Sequence, residues 1–175
     1  MKTLTNWIHF IFTGGTIDSI WDGKRDTVVP SKHSIVPDYL KHLELYPKIK
    51  FTEICMKDSR ELSRGDIADI CKVVEKSPCK RIIILHGTYT MPDTARYLEA
   101  NLKRKDQTVI LTGSMTPLKN IEYSDAPFNI GYAIAEVQSQ KSGVYICMNL
   151  RTFKSAEVAK DLSKGRFYSV FKQKQ

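Results

Sequence analysis

Trp7-Ile8-His9-Phe10-Ile11-Phe12 runs directly into Thr13-Gly14-Gly15-Thr16-Ile17-Asp18. An apolar segment of strand length thus ends in a glycine pair bracketed by hydroxyls. A strand with one wet face alternates apolar and polar side chains, whereas a nearly continuous apolar run suits a strand covered on both faces, as in a parallel sheet flanked by helices. The pattern recurs along the chain, and strands are expected at 7–12, 49–55, 81–86, 108–112 and 143–148. Between them Ile67, Ile70, Cys71 and Val74 repeat at i, i+3, i+4 and i+7, and Ile130, Ala133, Ile134 and Val137 do the same. Both are core-facing helix stripes. Thr90-Met91-Pro92-Asp93 reads as a helix start, with a threonine cap, an early proline and an acid three residues on. Strands alternating with helices predict an α/β fold: one open, mostly parallel, doubly wound sheet with helices on both faces, in a single domain spanning 1–175.

Composition narrows the function classes. The 175 residues carry 27 Lys+Arg against 19 Asp+Glu, a formal net charge of +8, with 42% hydrophobic residues, enough for one ordinary core. No apolar run approaches the roughly 20 residues of a membrane span, and the first residues lack the apolar core and cleavage site of a signal peptide. A cytoplasmic location is expected. Cys55, Cys71, Cys79 and Cys147 form no CxxC pair and lie in apolar segments, so free thiols are expected rather than a metal knuckle or disulfide framework. From Leu150 onward seven basic residues face Glu157 and Asp161. This basic tail, about 160–175, lacks the aromatic interleaving of RNA-binding modules, so a solvated, partly frayed terminus is expected and nucleic acid is not. Asp18 to Lys32 is a long polar stretch that reads as a mobile loop.

Ligands of open α/β sheets bind beyond the carboxyl ends of the strands, so the residues that follow each strand carry the functional information. The first strand leads into Thr13 to Asp18, the third into His86-Gly87-Thr88-Tyr89-Thr90, and the fourth into Thr112-Gly113-Ser114-Met115-Thr116-Pro117. Glycines let the main chain turn and approach a ligand closely, and the threonines supply donors, acceptors and a potential nucleophile. Gly14-Gly15-Thr16 matches neither GxGxxG nor GxxxxGK[ST], which disfavours a nucleotide. A small polar substrate and acyl transfer onto a threonine fit better. An unassisted threonine is a poor nucleophile and needs a base, for which a lysine is one candidate.

These residues resemble the bacterial-type L-asparaginase family, the asparaginase/glutaminase amidohydrolases. The resemblance rests on T-G-G-T-I at Thr13 to Ile17, the pair Asp58-Ser59, H-G-T-x-T-M with T-A-x-x-L at His86 to Leu98, and T-G-S-M-x-P at Thr112 to Pro117. It continues through D-x-P-F-N at Asp125 to Asn129 and Lys160 ahead of Phe167-Tyr168-Ser169. It spans nearly the whole chain and leaves out the family's C-terminal domain, which implies a short, single-domain form.

The resemblance implies hydrolysis of L-asparagine to aspartate and ammonia through an acyl-enzyme on Thr16. Thr88 and Lys160 would handle protons, and the basic tail would help to lower the lysine's pKa. It further implies that Asp58 and Ser59 hold the substrate's α-amino and α-carboxylate groups, that the backbone around Ser114 faces the reacting amide, and that Trp21 serves on a lid. No metal or organic cofactor is called for, and a homodimer is expected. Two positions depart from the family. Tyr89 stands where an aspartate usually contacts the substrate ammonium, and Trp21 stands near the place of a loop tyrosine. These departures leave open a hydrolase for another amide, a weak relative that binds acidic amino acids, or an amidotransferase partner.

Overall fold

A computed structural model of the chain describes residues 4–119 and 121–171. Its strands are β1 (Leu4–Gly14), β2 (Ser19–Asp22), β3 (Thr27–Pro30), β4 (Lys48–Lys57), β5 (Cys79–Leu85), β6 (Thr108–Thr112), β7 (Gly143–Met148), β8 (Arg151–Lys154), β9 (Val158–Asp161) and β10 (Arg166–Ser169). The helices are α1 (Val36–Lys41), α2 (Arg64–Lys76), α3 (Met91–Asn101) and α4 (Ala126–Ser139). Six strands form the central sheet in the order β4-β1-β5-β6-β7-β8. The first five are parallel and β8 is antiparallel at the edge. The five expected strands are those five parallel ones.

The apolar runs are apolar because both faces of the sheet are covered. Ile82, Ile83, Ile84 and Leu85 are all fully buried. Ile82 and Ile84 pack with Ile70 and Val74 of α2 and Ala95 and Leu98 of α3 on one face. Ile83 and Leu85 pack with Val36 and Leu40 of α1 and Ile130, Ala133 and Val137 of α4 on the other. Both expected helix stripes therefore face the core. The helix after β5 begins at Met91 as expected, but the Thr90 hydroxyl does not cap it. That hydroxyl instead donates to the Ser59 carbonyl at 2.9 Å, tying the helix start to the segment after β4.

The connections fix where a ligand can sit. From β1 the chain crosses to β4 on one side and then returns over β1 to β5 on the other. The crevice at the carboxyl ends of these three neighbours is the topological switch point of the sheet. The chain then advances through β6 and β7, with α3 on one face and α4 on the other. Parallel strands advancing in one direction with helices on opposite faces make crossovers of opposite hand. The α1, α2 and α3 crossovers agree with one another and the α4 crossover does not, an exception to a strong rule of single handedness. Its connection is pinned by Leu118, whose main-chain N–H donates to the Ile17 carbonyl at 3.0 Å.

Two sequence expectations require correction. The polar stretch 18–32 is not an irregular loop: it forms the antiparallel hairpin β2–β3, with Trp21 paired to Val28. The basic tail is not frayed through residue 171, because β9 and β10 form a second hairpin whose Val158 and Phe167 are buried in the core. Residues 172–175 of that tail lie outside the described residues. The four cysteines are free, with Cys79 and Cys147 buried and Cys55 and Cys71 half-buried. Among the described residues no helix is long and apolar enough to cross a membrane.

Candidate active site

The turns that leave β4, β1 and β5 meet backbone to backbone. Gly14 and Gly15 have φ of +90° and +85°, a region that favours glycine. A Cβ on Gly15 would stand 2.4 Å from the Gly87 Cα, and one on Gly87 would stand 2.7 Å from the Ser59 side chain. The Gly15 N–H donates to the Lys57 carbonyl at 2.9 Å, and the Thr13 hydroxyl donates to the Leu85 carbonyl at 2.9 Å. The glycines of these turns are thus dictated by the mutual approach of three chain segments.

His86 stabilises the third turn from beneath. It is fully buried, and its Nδ1 lies 2.8 Å from the Gly87 carbonyl, which can only accept, so Nδ1 carries the proton. Nε2 accepts from the Thr94 hydroxyl at 3.0 Å. Burial lowers this imidazole to about 4, so it is neutral and structural.

Above the turns lies a cleft of about 210 Å³. Gly15 and Thr16 line it from the β1 turn, Asp58, Ser59 and Arg60 from the β4 turn, and Gly87, Thr88 and Tyr89 from the β5 turn. Lys160 enters from the β9–β10 hairpin. That hairpin is anchored by its buried Val158 and Phe167 and by Arg96 Nη2, which donates to the Val158 carbonyl at 2.5 Å. The anchoring places Lys160 Nζ 2.7 Å from Thr88 Oγ1, across 72 residues of sequence. The Lys160 amine is held below the ordinary lysine value, first by burial and then by the nearby Arg60 guanidinium, with Asp58 opposing. The cationic neighbour is therefore Arg60 rather than the basic tail.

Asp58 is already partnered. Its Oδ1 accepts from the Arg60 main-chain N–H at 2.9 Å and from Nε at 3.0 Å, and its Oδ2 accepts from Nη2 at 2.9 Å. This pairing with Arg60 holds the carboxyl below its usual range. The guanidinium carbon also lies 5.5 Å from the centre of the Tyr89 ring, which is about half exposed. Ser59 is buried, with its Oγ accepting from the Thr90 N–H at 3.4 Å.

Six of the sequence-selected residues therefore share one cleft: Thr16, Thr88, Lys160, Asp58, Ser59 and Tyr89. Two do not line it. Ser114 is buried, and its hydroxyl donates to the Thr116 carbonyl at 2.6 Å within its own turn. Trp21 lies on β2 with 62% of its surface exposed. Arg60 was not singled out from the sequence, where a charge after Asp58-Ser59 reads as a solvated side chain. The signal was the Asp-x-Arg spacing in a turn, which brings a guanidinium back onto the carboxylate.

Residues 7–171 match the family described as Asparaginase, N-terminal. The chain is 25% identical over 171 residues to the glutaminase-asparaginase of Acinetobacter glutaminasificans, covering 90% of this chain and 50% of that protein. It is 26% identical to L-asparaginase 2 of Escherichia coli K12, covering 87% and 46% respectively. Among solved structures, L-asparaginase I from Vibrio cholerae superposes with a TM-score of 0.79 at 24% identity, over 93% of this chain and 51% of that one. The thermostable L-asparaginase from Thermococcus kodakarensis gives 0.75 at 26% identity, over 94% and 51%. The chain thus spans about half the length of the curated relatives it matches.

Proposed function

The chain belongs to the asparaginase family, and from that premise we propose that it is an amidohydrolase acting on asparagine or a close small carboxamide, with residues 1–175 as an asparaginase N-terminal-type unit. The observation that supports this reading most directly is the 2.7 Å contact between Lys160 Nζ and Thr88 Oγ1 in the cleft that also holds Thr16. A lysine amine kept low by burial is neutral in a larger share of molecules, and a neutral amine beside a hydroxyl is a general base with a ready relay.

In the proposed sequence Thr16 Oγ attacks the side-chain carbonyl carbon, and its proton passes through Thr88 to Lys160. The C–N bond breaks as that proton reaches the leaving nitrogen, which departs as ammonia. The resulting ester on Thr16 is cleaved by a water whose proton again goes to the Thr88–Lys160 pair, which releases the acid and restores the threonine. Main-chain N–H groups of the tightly packed turns are the available donors for the oxyanion, a kind of group whose removal typically costs a hundredfold or more in rate. Asp58, Ser59 and Tyr89 supply polar groups for the rest of the substrate. No step calls for a metal or organic cofactor.

The same contact supports a second assignment, in which Thr88, the hydroxyl directly joined to the base, is the nucleophile and Thr16 orients the amide. Ammonia release from asparagine separates these readings when combined with variants. Thr16→Ala should keep the fold, because the side chain points into a polar cleft, and should lower turnover by several orders of magnitude. Mass spectrometry of acyl-enzyme trapped at low pH should place the adduct on Thr16. An adduct on Thr88 selects the second assignment, full activity in both Thr16→Ala and Thr88→Ala rejects the threonine-nucleophile mechanism, and no ammonia release by the parent protein rejects the hydrolase.

A further inference from the structure

The charges of the cleft select among possible amides. Among the described residues that line it, Asp58 is the one carboxylate, and both of its oxygens are engaged by Arg60. With Lys160 neutral, as the proposed chemistry requires, Asp58 and Arg60 cancel. With Lys160 protonated the cleft is positive. In neither state does the described lining hold a carboxylate whose charge is not already matched by a guanidinium, and an α-ammonium drawn to the remaining lone pair of Asp58 would stand beside Arg60, which repels it. Tyr89 offers only a neutral phenol.

A carboxylate finds the opposite situation. Arg60 has five N–H donors, of which two go to the Asp58 side chain. The remaining donors belong to a guanidinium fixed at one edge by a bidentate carboxylate and flanked by the Tyr89 ring. Such a preorganised fork favours a second carboxylate, because little rotational freedom remains to be lost on binding.

We propose that Arg60 sets the substrate class, and that the cleft prefers monoamides of dicarboxylic acids that lack a free α-ammonium over asparagine itself. The inference rests on the hydrolase reading above only for turnover; the binding preference stands on the cleft alone. The reaction is the same: the amide C–N bond breaks, water supplies the new oxygen, and ammonia and the dicarboxylate leave. Butanedioic monoamide keeps the distance from amide to carboxylate found in asparagine, so it isolates the effect of the ammonium.

The test is calorimetric titration of the protein with butanedioate and with L-aspartate, run beside ammonia release from the monoamide and from asparagine. Butanedioate is expected to bind at least tenfold more tightly than aspartate. Arg60→Gln should weaken butanedioate at least tenfold without lowering the melting temperature, since the residue lies on an exposed turn. Tyr89→Asp, which adds an unpaired carboxylate, should move the preference toward aspartate. Aspartate binding as tightly as butanedioate, or binding of neither, overturns the inference. Faster ammonia release from asparagine than from the monoamide also overturns it while leaving the hydrolase intact. Preferred butanedioate binding with no ammonia from either amide supports the inference and rejects the hydrolase.

Discussion

Acidification from about pH 7.5 to about pH 4.5 should destabilise this protein through two buried imidazoles, His9 and His86. Burial lowers both to about 4, with Lys50 adding to the effect at His9. A histidine whose folded pKa lies below its unfolded value of 6.5 stabilises the fold above that value, and the contribution is lost as pH falls toward the folded pKa. At about pH 4.5 the unfolded imidazole is protonated and the folded one is mostly not, so each histidine removes about 2.5 kcal/mol, roughly 5 kcal/mol together.

Asp18 acts in the opposite sense. It is fully buried, and burial raises its carboxyl from 3.8 to about 6 despite bonds from the Ile35 N–H and the Ser34 hydroxyl, each at 3.0 Å. A raised carboxyl gives stability back as pH falls through 6, about 2 kcal/mol over the same interval. The three groups leave a net loss of about 3 kcal/mol, and the lowered carboxylates such as Asp66, at about 2, scarcely enter this window. Asp18→Asn removes the offset, so its loss on acidification should grow to about 5 kcal/mol. Urea melts followed by circular dichroism at a series of pH values give both numbers. Equal stability at the two pH values, or an Asp18→Asn slope identical to that of the parent, would refute the reasoning.

Two further outcomes are expected. Lys160→Met should lower turnover by several orders of magnitude while butanedioate binding survives; in the parent protein the rate should rise with pH along a limb lying below the ordinary lysine value of 10.5, and the variant should lack that limb. Pre-steady-state ammonia release across pH checks both points. Gly15→Ala places a Cβ 2.4 Å from the Gly87 Cα at a φ of +85°, which should cost about 3 kcal/mol or more and abolish activity; an alanine variant with unchanged thermal stability would refute the packing account of this turn.

The parallel strands were legible because a strand buried on both faces has no polar alternation to obscure it, as Ile82 to Leu85 illustrate. The two hairpins were not, since each of their strands is only four residues long and mixes polar with apolar side chains. Their turn glycines, Gly23 and Gly165, were the available signal. The meeting of Lys160 with Thr88 came through the resemblance, because no local spacing links residues 72 apart. The Arg60 clamp on Asp58 was readable in principle two residues away, but a surface turn gives charged neighbours no apolar context to mark them as paired. Handedness left no trace in the sequence at all, because α3 and α4 carry the same kind of apolar stripe and differ only in the face of the sheet they cover.

That last property has a kinetic meaning. A crossover of the disfavoured hand cannot be chosen by local twist, so it must be selected by contacts remote in sequence, and distant contacts are slow to form. One of these is the bond from Leu118 to the Ile17 carbonyl, which spans about a hundred residues and ends beside Thr16. The Ile17 carbonyl, next to the proposed nucleophile, therefore lacks this partner until the segment that leads from β6 into α4 has come into place. Competence for chemistry should thus be among the last properties acquired in refolding, later than the recovery of helical signal.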